Sequence, residues 1–267
     1  MLKKYGFIGL LMIFAALLLA KFGVEPYVFA FTSLIWYGYI ITADSIVNKL
    51  KGKSLLSKPR HFAYIASLSI GFWLIFELYN VVLKGWFYDS NGLVAWIFRI
   101  IAFSSILPAV FETADLLNAT RIFDRFKFRH HNINKNLAKL AAVAGMIFLL
   151  LPLVYTKPLS WVFVWTGFLL LFDPINYLQK ERSIIGDFQH GKFGLALALF
   201  FSGYIAGFLW EFWNKLAHSR WSYTVPILEN IRVFEIPALG FLAYGFFALE
   251  LFAMYIFISS LIKKLRH

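Results

Sequence analysis

The chain has 267 residues, 60% of them hydrophobic and 15% charged, with a mean hydropathy of +0.70. An average soluble domain is about 25% charged, so the composition excludes an ordinary soluble core and points to a polytopic membrane protein. Cysteine is absent, which excludes disulfides, thiolate metal sites and Cys nucleophiles, and the net charge of +12 gathers in short loops between apolar segments, which points to anionic lipid headgroups as partner and away from nucleic acid.

Eight apolar segments approach the roughly 20 residues needed to cross a bilayer: 5–22, 27–47, 62–83, 93–117, 137–155, 159–179, 193–214 and 237–262. They predict an all-α bundle of about eight transmembrane helices. The first follows Met1-Leu2-Lys3-Lys4 and has no small-x-small site before Lys21, so a retained helix is expected rather than a signal peptide. With the N-terminus inside, eighteen Lys and Arg fall in inner segments and six in outer ones, while Arg99 and Lys139 lie within helices. The positive-inside rule then places both termini in the cytoplasm and the protein in the plasma (inner) membrane. Near its outer end, Arg99 is expected either to snorkel or to pair with Glu77 or Glu112.

The longest basic stretch, 118–136, carries Ile122, Phe123, Phe126 and Phe128 among its charges, and His130 next to His131. It reads as a basic cytoplasmic linker that could lie against headgroups, its paired histidines solvated. It separates a first repeat, 1–117, from a second, 137–267. Trp36-x-Gly38-x5-Asp44 matches Trp165-x-Gly167-x5-Asp173 at an offset of 129 residues. Glu77 and Asn80 match Glu211 and Asn214 at 134, and Trp86 and Tyr88 match Trp221 and Tyr223 at 135. Four helices return the chain to its starting side, so the halves are expected to be parallel repeats about an axis along the membrane normal. The outer loop of the second half, 221–236, reads as an interfacial segment or a lid.

The residues that could carry chemistry are acids within apolar helices: Asp44, Glu77, Glu112, Asp115, Asp173, Glu211 and Glu250. Such groups are costly in a membrane and mark ion, proton or substrate sites, unless they bond between helices or sit near the interface, as Asp44, Asp115 and Asp173 do. Glu77 and Asn80, three residues apart, share one helix face, as do Glu211 and Asn214. Trp86, Tyr88, Trp221 and Tyr223 fall where an aromatic belt is expected. No Walker motif, dinucleotide glycine fingerprint or GxSxG is present. The six His lie in loops or at the terminus, without metal-site spacing, so neither a metal nor a cofactor is expected.

Glu77-Leu78-Tyr79-Asn80, Gly85-Trp86-Phe87-Tyr88 and Pro108-Ala109-Val110-Phe111-Glu112, answered by Glu211, Asn214, Trp221, Tyr223 and Phe246-Phe247-Ala248-Leu249-Glu250, resemble the tandem membrane lycopene cyclases. The likeness covers the last three helices of each half. It departs from that family in two ways: its adjacent acids are missing, since Thr113 follows Glu112 and Leu251 follows Glu250, and each half here has four helices where the family has three. The chain also resembles bacterial polytopic membrane proteins of uncharacterised activity. The cyclase resemblance implies cofactor-independent acid/base cyclisation of an isoprenoid chain. Glu112 and Glu250 would be the acid/base pair, with Glu77 and Glu211 positioning or sharing protons. Asn80, Asn214, Trp86, Tyr88, Trp221, Tyr223, Asp44 and Asp173 would line the substrate, a hydrophobic isoprenoid-like molecule. A proton-coupled transporter or channel built on the same repeats fits the acids as well, and a non-catalytic scaffold is the third reading. A homo-oligomer is permitted and not required.

Overall fold

The computed structural model describes residues 2–23, 27–126, 129–130, 132–224 and 231–266. Lys127, Phe128 and His131 of the basic linker, and residues 225–230 of the expected lid, lie outside them. In chain order the helices are α1 (Gly6–Phe22), α2 (Phe31–Lys51), α3 (Pro59–Leu83), α4 (Leu93–Phe103), α5 (Ile106–Ala119), α6 (Lys135–Val154), α7 (Trp161–Leu178), α8 (Ile184–Gln189), α9 (Gly194–Leu216) and α10 (Ala238–Leu265). Four short strands interrupt them: β1 (Trp86–Tyr88), β2 (Trp221–Tyr223), β3 (Arg232–Val233) and β4 (Ile236–Pro237). Six helical segments, with α4 and α5 counted as one, are long and apolar enough to cross a membrane. The protein is a predominantly helical integral membrane protein. Helix α1, at 17 residues, is apolar but shorter than those six.

The predicted 93–117 helix is broken between α4 and α5, and the break has a specific cause. Ser69 of α3 inserts its hydroxyl into the helical ladder, donating to the Phe103 carbonyl and accepting from the Leu107 amide at 2.9 Å. It thereby replaces the backbone bond those two groups would otherwise make. Pro108, with no amide hydrogen, leaves the Ser104 carbonyl unclaimed one residue further on, and the Tyr37 hydroxyl bonds the Ser104 side chain from α2. Side-chain insertion and proline together account for the kink. Two further features have no counterpart in the expected spans: α8, whose Ser183 cap accepts from the Gly186 amide at 3.0 Å, and the strands.

Helix hairpins α1–α2 and α6–α7 close on paired glycines. A Cβ on Gly9 would meet the Gly38 carbonyl at 2.5 Å, and one on Gly145 would meet the Leu171 amide at 2.4 Å and the Gly167 carbonyl at 2.9 Å. Small residues at such contacts let helix backbones approach closely in a membrane. On the outer surface of these hairpins Phe7, Leu11, Phe14, Leu140, Ile147 and Leu150 are exposed, as lipid-facing residues should be. The core is aromatic. Trp36 of α2 meets Trp210 of α9 edge-on at 5.7 Å, and Phe76 of α3 stacks on Trp165 of α7 at 5.0 Å.

The two halves join at one end through β1 and β2, which pair antiparallel: Trp86 with Tyr223, Phe87 with Ser222 and Tyr88 with Trp221. The register reads the same from either strand. Bonds from the Asp89 amide to the Arg220 carbonyl and from the Thr224 amide to the Gly85 carbonyl extend it by a step at each end.

Candidate functional site

At the end of α3 the backbone must turn into β1, and the Asn80 side chain closes that turn. Its Oδ1 accepts from the amides of Gly85 (2.8 Å) and Trp86 (3.0 Å), and its Nδ2 donates to the Trp86 carbonyl (2.9 Å). Asn214 does the same after α9, accepting from the Trp221 amide (3.0 Å) and donating to its carbonyl (2.8 Å). A carboxamide is suited to this because it presents a donor and an acceptor together. Both asparagines, expected to line substrate, are occupied with backbone.

The carboxylate three residues earlier faces the rings that the turn delivers. Glu77 Oε1 accepts from the Tyr88 hydroxyl (2.5 Å), from Trp73 Nε1 (2.9 Å) and from Trp86 Nε1 (3.2 Å). Glu211, fully buried, accepts on Oε1 from the hydroxyls of Tyr223 and Tyr244, both at 2.6 Å, and its Oε2 has no partner. Trp221 Nε1 donates to the Tyr223 hydroxyl at 2.9 Å and so completes this second cluster. The Tyr244 ring reaches Glu211 because Gly207, one turn earlier on α9, leaves room: a Cβ there would lie 2.4 Å from the ring. Burial, then the Glu77 charge, push the Tyr88 phenol above its ordinary range. Burial, then Glu211, do the same to Tyr223.

These rings are the wall of a cavity of about 410 Å³, within the few hundred Å³ usual for small-ligand sites. Seven of the nine tryptophans line it, Trp73, Trp86, Trp161, Trp165 and Trp210 among them, together with Tyr88, Tyr223, Tyr244 and Phe247. Glu77 and Glu211 stand one hydrogen bond behind this wall. The four aromatics expected in a membrane belt therefore face an interior chamber, held there by the β1–β2 ladder.

Arg99 makes neither expected pairing, with Glu77 or with Glu112, and it does not snorkel, being 7% exposed. Among the described residues the one ion pair is Lys51–Asp115, at 3.3 Å on the surface. Instead the Arg99 guanidinium lies over the Tyr88 ring, 4.2 Å from its centroid, and donates through Nη2 to the Ser90 carbonyl and hydroxyl. Its place on α4 explains this: Ala95, Arg99 and Phe103, spaced by one turn, form the buried stripe of that helix and all three line the chamber.

The remaining predicted acids lie elsewhere. Asp44 accepts from the hydroxyls of Tyr5 (2.6 Å) and Ser54 (2.9 Å) and from the Leu56 amide (2.8 Å). The neighbouring Leu55 amide donates to Glu112 Oε1 at 3.1 Å. At the corresponding place Asp173 accepts from the amides of Ile184 (2.7 Å) and Ile185 (2.9 Å). Asp44, Glu112 and Asp173 thus bind the backbone that follows α2 and α7. Glu250, on α10, is fully buried and neither oxygen has a partner. None of these four lines the chamber.

Sequence reasoning misses Trp73, Trp161 and Tyr244. Trp73 lies one turn before Glu77, and that i, i+4 spacing is a signal for contact. Tyr244 is 33 residues from Glu211 and no local pattern marks it. Comparisons of the chain with protein-family models, with curated proteins and with solved structures find no match.

Proposed function

We propose that this integral membrane protein binds one end of a hydrophobic, isoprenoid-like chain in the aromatic chamber. Its chemistry is acid/base isomerisation of the cyclase type: a proton adds to a carbon–carbon double bond, the cation closes a ring, and a neighbouring carbon gives up a proton, with no net redox change. The observation that carries the binding step is the chamber itself, aromatic on most sides and backed by two carboxyl clusters. Aromatic faces stabilise a cation by roughly 0.5–2 kcal/mol each, and Glu77 and Glu211 stand close enough to exchange protons through Tyr88 and Tyr223. In this reading Glu112 and Glu250 are remote from the reacting end.

The architecture we propose is eight spans, with α1 and α2 joining the six long apolar segments, in two parallel four-helix repeats joined by the 118–136 linker. Both termini are cytoplasmic and the β1–β2 ladder is on the outer face of the plasma (inner) membrane. Three features support it. The ladder register is reciprocal. The Trp36–Trp210 contact (α2 to α9) is answered by Trp165–Phe76 (α7 to α3). Asn80 and Asn214 close equivalent turns.

The test uses bacteria that accumulate lycopene, expressing wild type, Glu77→Gln/Glu211→Gln or Glu112→Gln/Glu250→Gln. Pigments extracted from the cells, and apolar molecules retained by the purified proteins, are read by chromatography with mass spectrometry. Ring-containing isomers of unchanged mass, lost in the first double variant and kept in the second, support the whole reading. Linear lycopene alone, with an apolar chain still retained by the protein, removes cyclisation and leaves binding. An empty protein removes both.

One observation favours a second reading. Glu250 buries two unpartnered oxygens inside the bundle, an arrangement costly enough to mark an intramembrane proton site and hence a proton-coupled transporter. Proton flux in liposomes that Glu250→Gln abolishes would replace the enzyme reading with this one.

A further inference from the structure

Two side chains in the chamber have hydrogen-bond donors with no acceptor among the described residues. Arg99 is 7% exposed, uses only Nη2, and leaves Nε and Nη1 without a partner. Trp161 is 4% exposed and its Nε1 is also unpartnered. Both line the same cavity. Arginine and tryptophan side chains can donate but not accept. A buried guanidinium with no carboxylate in ion-pair range among the described residues is costly.

Rings alone do not remove that cost. Tyr88 and Trp96, at 4.2 and 5.0 Å from the guanidinium carbon, supply cation–π attraction. They hold the guanidinium in place and leave its Nε and Nη1 donors unused. Its Nη2 is tied to Ser90, whose hydroxyl bonds Ser219 beside the strand ladder. These two donors are therefore preorganised, fixed by contacts that come from α4, the loop after β1 and the loop before β2.

We infer that Arg99 anchors the anionic head of an amphiphile whose chain occupies the chamber. The ligand class is a long apolar chain ending in acceptor-only anionic oxygens, a carboxylate or a phosphate, which take charge-assisted hydrogen bonds from Nε or Nη1. The unpartnered indole nitrogen of Trp161 packs against Gly85, at the turn before β1. This inference rests on the chamber being a binding site and is independent of cyclisation. The same head chemistry comes from two sources, a free amphiphilic acid or an anionic phospholipid of the surrounding bilayer.

Tryptophan quenching tests it, because seven tryptophans line the chamber. Wild type, Arg99→Gln, Arg99→Lys and, as a control cation at the exposed end of α3, Lys84→Gln are purified in nanodiscs of zwitterionic lipid. They are titrated with dibromostearate, with dibromostearyl alcohol, and with phosphatidylglycerol bearing brominated chains. The expected result is saturable quenching by an anionic probe, about tenfold weaker or more for the alcohol. Arg99→Gln brings acid and alcohol to one affinity, Arg99→Lys restores part of the difference, and Lys84→Gln changes nothing. Saturation by the phosphatidylglycerol alone identifies a membrane lipid as the source, and saturation by stearate alone a free acid. Equal affinities of acid and alcohol in wild type, unmoved by Arg99→Gln, overturn the anchor and leave the chamber standing. No saturable quenching by any probe overturns the chamber and the anchor with it. Retained binding of the alcohol by Arg99→Gln shows that this variant is folded.

Discussion

Trp86 pairs with Tyr223 across the β1–β2 ladder, and each donates directly to a glutamate: Trp86 Nε1 to Glu77, and the Tyr223 hydroxyl to Glu211. The ladder is only three residues long on each side. A pair of strands this short is not stable alone, so side chains must hold it, and Asn80 and Asn214 do so from the two helix ends.

Asn80→Ala leaves the Gly85 and Trp86 amides and the Trp86 carbonyl without their partner. It should destabilise the protein by about 2–4 kcal/mol, since each abandoned buried group costs about 1–3 kcal/mol and some regain water. Asn214→Ala abandons one amide and one carbonyl and should cost less. Thermal unfolding in detergent, followed by tryptophan emission, gives the order. Asn214→Ala falling further than Asn80→Ala would show that the count of bonds does not govern the turn.

Gly207→Ala places a methyl 2.4 Å from the Tyr244 ring. The ring must move off Glu211 or the helices must part, and overpacking of this kind costs about 1–3 kcal/mol. Gly71→Ala, where no atom lies within 4 Å of the added carbon, should be neutral or slightly stabilising in mid-helix. The pair of melting temperatures checks the packing directly.

Ser69→Ala removes the hydroxyl from the α4–α5 break and strands the Phe103 carbonyl and Leu107 amide in the core. A loss of about 1–3 kcal/mol is expected. The companion variant Ser67→Ala loses only a bond to its own helix on an exposed face and should stay within about 0.5 kcal/mol of wild type.

Tyr88 and Tyr223 are raised above the ordinary phenol value of 10.0 by burial first and by their glutamates second. A raised folded-state value means the folded protein holds the phenolic proton more tightly than the unfolded chain does. The stability from that difference is fully present below pH ~10 and is lost as pH rises above it. Absorbance near 295 nm should show these two phenols ionising only with unfolding. Tyr88→Phe/Tyr223→Phe should lose amplitude from the unfolding step and none from the earlier titration of exposed tyrosines.

Much of the site is legible in one dimension. Glu77 and Asn80 stand three residues apart and recur as Glu211 and Asn214, and helical periodicity alone puts each pair on one face. What those faces meet is not legible. The backbone that Asn80 grips is six residues on, beyond a turn whose geometry depends on a strand from the other half. The aromatic-belt expectation for Trp86 and Tyr88 fails for the same reason, because composition cannot tell a ring facing headgroups from one turned inward by a ladder partner in the other half of the chain. Asp44 and Asp173 look like intramembrane acids, yet Asp44 spends its oxygens on the Tyr5 and Ser54 hydroxyls and the Leu56 amide, and Asp173 spends both on the Ile184 and Ile185 amides at the start of α8. The helix break at Ser104 depends on Ser69, which only the packing of α3 against α5 brings near.

A ladder that reads the same from both strands is the contact a half-length chain would make with a second copy of itself. Within one chain the two sides need not be alike, and the chamber lining shows where they differ. Glu77 is held by two indoles and one phenol, whereas Glu211 is held by two phenols, with Gly207 at the position where α3 has Trp73. A cavity with unequal ends can tell head from tail, which a strictly twofold one could not do. In the proposed complex, a chain has one orientation in which its polar end meets Arg99.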